Sequence, residues 1–329
     1  MLTIKNILAT TDLTEEGLPS LRHGWTLATR FGAELHMFYA DVLHGPLHGE
    51  MDPARTEAEV AARMDELARR IAAGDGDAAR VTVRRIVERS VYPAPAVLEY
   101  AASHDVDVIV TGTHARRGIS RLVLGSVAEE IVRHAGCAVL TVPTSEEERS
   151  GRIDVTSLLV PFDFSMHSRN ALANAKELAA AFGARIDMLH VVEERLHPAF
   201  YGIAVQSVYD VEPEIESKAV DHMRAAYDSA VGPDGPVSFE ARPGSAAREI
   251  VDFAGDVGSS MIIMGTHGLT GLDHFLLGST TERVLRRAST PVFALKHAGR
   301  SLMGGRPDSE GTTPSEHGLS SPESSASAP

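Results

Sequence analysis

The chain has 329 residues, of which 43% are hydrophobic and 23% charged, and its formal net charge is −14 at pH 7. This length suits two domains of about 150 residues each, and the negative charge disfavours binding to the phosphate backbone of nucleic acids. One cysteine excludes an intrachain disulfide, no apolar run approaches the ~18 residues of a membrane span, and the N-terminus does not resemble a signal peptide. We therefore expect a cytoplasmic protein with no membrane or nucleic-acid partner.

Short apolar runs alternate with helical patterns from the N-terminus onward. After the first run, NILAT, apolar residues recur at helical spacing over 18–28, and Gly32 is the predicted helix end. Further helical patterns cover 60–71 and 95–102, and another follows Gly125. The apolar runs between them are ELHMFYA, RVTVRRIV, DVIVTG and AVLTV. Strands that alternate with helices predict a doubly wound parallel sheet of the Rossmann-like α/β class.

The second half of the chain repeats the first. KNILATTDLT aligns with TSLLVPFDFS, which pairs Asp12 with Asp163, and DVIVTGTH aligns with SMIIMGTH. A period of this kind, with every element in order, indicates two copies of one domain. The composition after Ala298 is rich in Gly, Ser, Pro and Glu and predicts disorder. The predicted segments are copy one (1–144), a charged linker (145–152), copy two (153–298) and a disordered tail (299–329).

The last apolar run of each copy, AVLTVP or PVFALK, would be an edge strand if each five-stranded parallel sheet stood alone. An edge strand leaves backbone groups unpaired. We therefore expect the two last strands to pair and to form an internal pseudo-dimer. Whether two whole chains also associate as a homodimer is left open by the sequence.

A glycine-rich segment in copy two, GTHGLTGLDHFLLGST, has the pattern of a phosphate-binding loop. Gly265 directly follows the run MIIM, Gly268 comes after two further residues, and Gly278 after nine more. We expect Gly265 and Gly268 to adopt positive φ and to let the backbone approach a ligand. The helix that starts at Ser279 would present free N–H groups to phosphate. The alternative is a loop whose glycines only allow turning, with Ser279 as an ordinary helix cap.

Other strand ends of copy two carry groups suited to a nucleoside. Asp163 follows the first strand and could accept hydrogen bonds from ribose hydroxyls, each worth roughly 1.5–3 kcal/mol. The alternative role for Asp163 is capping of the first helix, for which Ser165 competes. Val191 ends the second strand and offers apolar surface to a base.

Together these residues resemble the universal stress protein family, whose ATP-binding members carry G-x2-G-x9-G-[ST]. Copy two matches this motif in full, and the resemblance covers the chain except for linker and tail. It implies two tandem domains of the adenine nucleotide alpha hydrolase type and a stress-response protein that binds ATP, with or without Mg²⁺, mainly in copy two. The implied ligand-binding residues are Pro161, Asp163, Val191, Met264, Gly265, Gly268, Gly278, Ser279 and Thr280.

Copy one departs from this pattern in the loop and beside the base. Ala115 stands at the second glycine of the motif, where a β-carbon narrows the space next to a ligand. Ala40 and Thr111 replace the valine and methionine of copy two. We therefore expect weaker binding in copy one, although Arg116 and Arg117 would recover part of it by attracting phosphate. The family positions that copy one retains are Asp12, Gly112, Gly125 and Ser126.

Three functions stay open: a nucleotide-responsive regulatory protein with slow or no hydrolysis, an adenylating enzyme of the same fold group, and an interaction scaffold without a ligand. In the related pyrophosphatases, adenylation resembles a reaction that depends on an SGG-x-DS loop after the first strand. This chain has TDLTEEG and FDFSMHS at that place, which argues against the adenylating enzyme. No paired acid and base specifies hydrolysis, so we predict no catalytic residue. His44 and His48 have metal-like spacing, but Gly45 and Pro46 break the helix that would align them, so we predict no metal site.

Overall fold

The structure is a computed structural model, and it describes residues 1–42, 56–73, 81–113, 124–144, 153–193, 209, 212–266, 277–296 and 301–303. The strands are β1 (Asn6–Thr11), β2 (Glu34–Val42), β3 (Val83–Ser90), β4 (Val108–Gly112), β5 (Ala138–Val142), β6 (Ser157–Pro161), β7 (Arg185–Val192), β8 (Val237–Pro243), β9 (Met261–Gly265) and β10 (Val292–Leu295). The helices are α1 (Leu18–Phe31), α2 (Glu57–Ala72), α3 (Pro93–Ser103), α4 (Ser126–His134), α5 (Met166–Phe182), α6 (Ile215–Ser229), α7 (Ala246–Asp256) and α8 (Ser279–Arg287).

Local sequence signals begin and end several of these helices. The Thr56 hydroxyl accepts a hydrogen bond from the backbone nitrogen of Glu59 at 3.3 Å, and the Glu59 carboxylate accepts one from the Thr56 backbone nitrogen at 2.7 Å. This capping box starts α2. Gly32 ends α1 with φ of 65°, as predicted, and Gly183 ends α5 in the same left-handed conformation. The helices α1 to α4 correspond to the four predicted for copy one.

The strands form one ten-stranded sheet in the order β3-β2-β1-β4-β5-β10-β9-β6-β7-β8. All pairs within each half are parallel, which confirms the predicted fold class. β5 and β10 pair antiparallel, with Leu140 opposite Phe293, so the prediction that the last strands pair is confirmed. The strands of the two halves run in opposite directions. The copy-one strands therefore have their carboxyl ends on one side of the sheet, and the copy-two strands have theirs on the opposite side.

Helices cover both faces of the sheet. Neighbouring residues of β1 illustrate the arrangement, because Ile7 belongs to the core under α1, α2, α5 and α6, and Leu8 to the core under α3, α4, α7 and α8. Both side chains are fully buried, as a parallel sheet between two helical layers requires. Among the described helices, none is both long and apolar enough to cross a membrane.

Side chains of copy two also contact α4 of copy one. The Lys296 ammonium follows β10 and donates to the main-chain carbonyls of Val132 and, at 3.1 Å, Arg133, in the last turn of α4. Arg286 of α8 donates to the Glu129 carboxylate of α4 at 2.9 Å. Burial lowers the pKa of Lys296 to about 8. The two copies are therefore joined by polar contacts between helices as well as by the sheet.

The end of the described chain packs against its beginning. Leu302 is 3% exposed, and its carbonyl accepts a hydrogen bond from the backbone nitrogen of Thr3 at 2.9 Å. The prediction of a disordered tail over 299–329 is therefore wrong for 301–303, because the apolar Leu302 finds a place in the core that tail composition did not reveal. Residues 304–329 lie outside the described part, and disorder there stays a prediction.

Truncation after Met303 should leave the free energy of unfolding unchanged, whereas truncation after Ala298 should lower it by about 2 kcal/mol. The difference corresponds to the lost burial of Leu302, since a fully buried leucine contributes roughly 1.5–3 kcal/mol. Urea denaturation of the two truncated proteins and the full chain measures it. Equal stability of the two truncated proteins would contradict the packing of Leu302.

The low pKa of Lys296 predicts a pH dependence of stability. Below about pH 8 the amine is protonated in both states, so its burial cost is constant. From pH 8 to 10 the folded state loses this proton while the unfolded state keeps it, so stability should rise with pH. Relative to the Lys296→Met variant, the free energy of unfolding of the wild type should rise by about 2 kcal/mol between pH 8 and pH 10. Denaturation curves at each pH test this, with the exposed Lys218→Met as control; parallel profiles for wild type and Lys296→Met would rule it out.

Candidate functional site

A cavity of about 530 Å³ opens at the carboxyl ends of β6, β7 and β9 in copy two. β6 pairs with β7 on one side and with β9 on the other, so the strand order reverses at this point. Open parallel sheets bind ligands at such a switch point, and the volume lies within the range of small-molecule sites. α7 and α8 begin at the wall of the cavity, where Ala246 and Ser279 line it.

The structure brings the predicted copy-two residues together around this cavity. Gly268 falls outside the described residues, and Gly265 does not have the positive φ that we expected. Gly265 ends β9 in regular strand pairing with Leu295, which explains its extended backbone. The predicted residues that line the cavity are Pro161, Asp163, Val191, Met264, Gly265, Gly278, Ser279 and Thr280.

Two hydrogen bonds hold the start of α8 against the end of β9. The backbone nitrogen of Gly278 donates to the Thr266 carbonyl at 2.8 Å and closes the base of the glycine loop. The buried Thr281 hydroxyl donates to the Gly265 carbonyl at 2.9 Å. Copy one repeats the closure, with Gly125 donating to the carbonyl of Thr113 at 2.6 Å. The sequence analysis did not predict that the threonine of the GTH triplet, Thr113 or Thr266, closes the loop through its carbonyl, although the triplet occurs in both copies.

Ser165, and not Asp163, caps the first helix of copy two. The Ser165 hydroxyl accepts a hydrogen bond from the backbone nitrogen of Ser168 at 3.1 Å. One Asp163 carboxylate oxygen accepts from the Ser165 backbone nitrogen at 3.1 Å. Within the described part of the chain, the other oxygen has no hydrogen-bond partner. Asp163 therefore lines the cavity with acceptor capacity that the fold does not use.

The residues that follow Asp163 and its copy-one counterpart Asp12 both have a positive φ, 64° for Phe164 and 65° for Leu13. This conformation costs a residue with a β-carbon roughly 1–2 kcal/mol and is maintained only where its surroundings enforce it. In both copies the aspartate carboxylate accepts from the backbone nitrogen two residues on, at 3.1 Å for Asp163 and 3.0 Å for Asp12. Each aspartate thus also holds a strained turn beside the cavity.

Three titratable side chains that the sequence analysis did not single out also line the copy-two cavity: His190, Glu193 and Arg283. His190 Nδ1 lies 2.8 Å from the Phe162 carbonyl oxygen, and because a carbonyl only accepts, this nitrogen donates. The Glu193 carboxylate accepts from the first backbone nitrogen of α7, Ala246, at 3.3 Å. Arg283 lies four residues after the motif serine, on the same side of α8, and this spacing was the available signal.

Copy one has a smaller cavity, of about 300 Å³, at the corresponding place. Asp12, Gly112 and Gly125 line it. Ser126, the exposed first residue of α4, lies between the lining residues Gly125 and Val127 but does not itself line the cavity, so its role in binding stays a prediction. Gly112 ends β4 and Gly125 precedes α4, so the framework of strand end, loop and helix start is retained. Arg116, Arg117 and Ala115 lie outside the described residues.

The inner wall of the copy-one cavity carries hydroxyl groups. The Thr10 hydroxyl donates to the Thr111 hydroxyl at 3.0 Å, across the neighbouring ends of β1 and β4. The aligned residues of copy two are Pro161 and Met264, which have no hydrogen-bonding side chain. The part of the cavity that is apolar in copy two is therefore polar in copy one.

Ion pairs fix the β1–α1 turn beside the copy-one cavity. Glu15 pairs with Arg70 at 2.6 Å and with Arg63 at 2.9 Å, and these hydrogen bonds lower the pKa of Glu15 to about 2. Arg63 also donates to the carbonyl of the strained Leu13 at 3.0 Å. In copy two the position of Glu15 is taken by Met166, which is exposed and carries no charge. The ion pairs of Glu15 with Arg63 and Arg70 therefore belong to copy one alone.

The protein is a Rossmann-like α/β protein with a cavity at the switch point of each half, the place where open parallel sheets bind ligands. The model of the universal stress protein family matches residues 3–143 and 155–296. These matches cover most of the chain, and the protein belongs to this family as a tandem member. They lie inside the predicted domains, 1–144 and 153–298; those bounds and the linker 145–152, which falls outside the described residues, stay predictions.

Known members of the family are similar to this chain over one or both copies. Universal stress protein MJ0577 of Methanocaldococcus jannaschii is 31% identical over 151 residues, which are 42% of this chain and 93% of that protein. Universal stress protein Rv2005c of Mycobacterium tuberculosis is 27% identical over 206 residues, 63% of this chain and 66% of that protein. A solved universal stress protein from Archaeoglobus fulgidus has a TM-score of 0.55 at 18% identity, over 88% of this chain and 98% of that chain, and supports the fold.

Thr281→Val should lower the free energy of unfolding by about 1–3 kcal/mol, because it leaves the Gly265 carbonyl without its hydroxyl partner at nearly constant side-chain volume. Thr281→Ser keeps the hydroxyl and should recover part of this loss. Chemical denaturation of both variants measures the effect. A valine variant as stable as the wild type would show that this bond does not hold α8 to β9.

Proposed function

We propose that copy two binds an adenine nucleotide, ATP, and that the protein acts as a nucleotide-responsive regulatory member of its family in the stress response. The observation that carries this proposal is that every described residue of the predicted copy-two set lies around one cavity at the strand-order switch point. A cytoplasmic location belongs to the same proposal.

The chemistry of the lining residues suits the three parts of a nucleotide. Val191 and Met264 offer apolar surface to a base at the ends of β7 and β9. Asp163 keeps an acceptor oxygen that could take hydrogen bonds from ribose hydroxyls. The start of α8, at Ser279 and Thr280, presents free backbone N–H groups and a partial positive charge, which favour phosphate. We therefore place the phosphates at α8.

We propose a regulatory ligand rather than a rapidly consumed substrate. The groups that could act as a base in the described part of the cavity are two carboxylates and one imidazole, and each has a role in the fold: Asp163 holds the strained turn, Glu193 accepts from the start of α7, and His190 donates to a main-chain carbonyl. A general base needs a carboxylate or imidazole positioned at the attacking water. Any Mg²⁺ would arrive with the nucleotide, since the described residues form no cluster of three metal-ligating side chains. Phosphate release should accordingly be slow, over hours, or absent.

Calorimetric titration with ATP should reveal one tighter and one weaker site in the wild type. Gly268→Ala should remove most of the tight binding, and Ala115→Gly should strengthen the weak site by about tenfold, because a β-carbon at a position that needs positive φ costs roughly 1–2 kcal/mol. Asp163→Asn should weaken the tight site without abolishing folding.

Circular dichroism of each variant serves as the folding control for this titration. Two equal sites in the wild type, or full binding by Gly268→Ala, would contradict the assignment of the tighter site to copy two. Absence of ATP binding to the folded wild type would reject the proposed function and favour the ligand-free scaffold.

A further inference from the structure

The helices that open at the two cavities carry opposite charges at the same position. α4 and α8 each have nine residues and each begins directly after the last glycine of its loop. Their fifth residues are Glu130 in copy one and Arg283 in copy two. These residues lie about one turn from the helix start.

Arg283 is a cation that the described structure does not use internally. It lines the copy-two cavity together with Gly278, Ser279 and Thr280, and it is exposed. Over the described ranges Arg283 has no ion pair, hydrogen bond or ring contact, whereas Arg286 of the same helix pairs with carboxylates at 2.9 and 3.1 Å. An unpaired guanidinium beside a helix N-terminus is suited to a phosphate group, which it can contact through two N–H donors.

Two carboxylates line the described part of each cavity; in copy one these are Asp12 and Glu16, and no cation accompanies them there, whereas copy two has Arg283. Glu130 adds a third carboxylate on the helix that opens there, at the position of Arg283. Carboxylates near a helix N-terminus offset its positive charge and repel phosphate. Over the described residues, the electrostatics of copy one therefore disfavour a polyphosphate at the place where copy two favours it; the loop arginines Arg116 and Arg117 lie outside these residues.

The remaining lining of the copy-one cavity suits a small neutral molecule with hydroxyl groups. Phe38, Tyr39 and Val97 supply apolar surface, and Thr10 and Thr111 supply hydroxyls at the strand ends. Its volume of about 300 Å³, against about 530 Å³ in copy two, is at the lower end of ligand cavities. A nucleoside has an apolar ring face and hydroxyl donors for carboxylate acceptors, and it carries no charge.

We infer that the two cavities sort adenine ligands by phosphate charge: copy two selects the nucleoside polyphosphate through Arg283, and copy one selects the uncharged nucleoside through its acidic lining and Glu130. This inference rests on the proposed function, because it assumes that both cavities take an adenine ligand. A chain built in this way responds to the balance between phosphorylated and unphosphorylated forms of one compound, and not to one of them alone.

Variants that block one cavity at a time test the assignment. Val191 and Ala40 are aligned residues that line the copy-two and copy-one cavities and are partly exposed, so Val191→Trp and Ala40→Trp fill one cavity each. Titration calorimetry with adenosine and with ATP is then run on each protein. We expect Val191→Trp to bind adenosine at least tenfold more tightly than ATP, and Ala40→Trp to show the reverse preference.

Charge substitutions identify the residues responsible. Arg283→Glu should lower ATP affinity at copy two at least tenfold and change adenosine affinity less than twofold, since adenosine has no phosphate. Glu130→Arg, made in the Val191→Trp protein, should raise ATP affinity at copy one by a similar factor. Arg287→Glu is the matched control: it makes the same charge change on α8 at an exposed residue that does not line the cavity, and it should change both affinities less than twofold.

The outcomes separate this inference from the proposed function. If the wild type binds neither ligand, the proposed function fails and the inference fails with it. If ATP binds copy two but Arg283→Glu keeps the wild-type preference, or Val191→Trp binds ATP as tightly as adenosine, the inference alone is overturned. Should a tryptophan variant not fold, photo-crosslinking of the wild type with 8-azidoadenosine and 8-azido-ATP, followed by peptide mapping, decides: nucleoside label on copy one and nucleotide label on copy two support the inference, and ATP label shared equally overturns it.

Discussion

The antiparallel pairing of β5 with β10 is the contact on which the architecture depends. Every residue of both strands is buried, so neither strand could stand at the edge of a sheet in water without exposing apolar side chains and unpaired backbone groups. Pairing them leaves β3 and β8 as the outer strands of the ten-stranded sheet, and β3 carries the charged residues Arg84, Arg85, Glu88 and Arg89. The same antiparallel pairing makes the strands of copy two run opposite to those of copy one. The two cavities, which lie at the carboxyl ends of the strands, are therefore on opposite sides of the sheet.

Both cavities are built on one backbone framework. In each copy a strand end leads to an aspartate that holds a residue with positive φ, and the glycine loop is closed by a backbone hydrogen bond to a threonine carbonyl. What differs is the side chains on this framework. Threonines replace Pro161 and Met264, and a glutamate replaces Arg283. The two cavities thus differ in charge and polarity without a change in the fold, because the positions at which the copies differ are not those that hold the turns.

The copies also use one position for different kinds of stabilisation. Trp25 of α1 fills its site in the core with apolar surface, while the aligned Lys176 of α5 is 1% exposed. The Lys176 ammonium donates to the carbonyls of Tyr227 and Ala230 at 3.1 Å and to the Asp234 carboxylate at 2.8 Å. A buried ammonium is tolerated only when its donors are satisfied. Here it ties the end of α6 to α5 through long-range contacts.

The sequence by itself determined the repeat, the order of strands and helices, the fold class and eight of the residues around the copy-two cavity. These features depend on short-range patterns: apolar periodicity, Gly32 at a helix end, and strand ends followed by polar residues, whose meeting point is set by parallel topology. Only the tertiary structure decided that Leu302 belongs to the core, that Ser165 rather than Asp163 caps α5, and that Arg283 lies unpaired at the site. The physical reason is that burial and ion pairing depend on which distant groups come within about 3 Å, a property of the packed chain, and that the choice of cap depends on the backbone conformation of the turn before the helix.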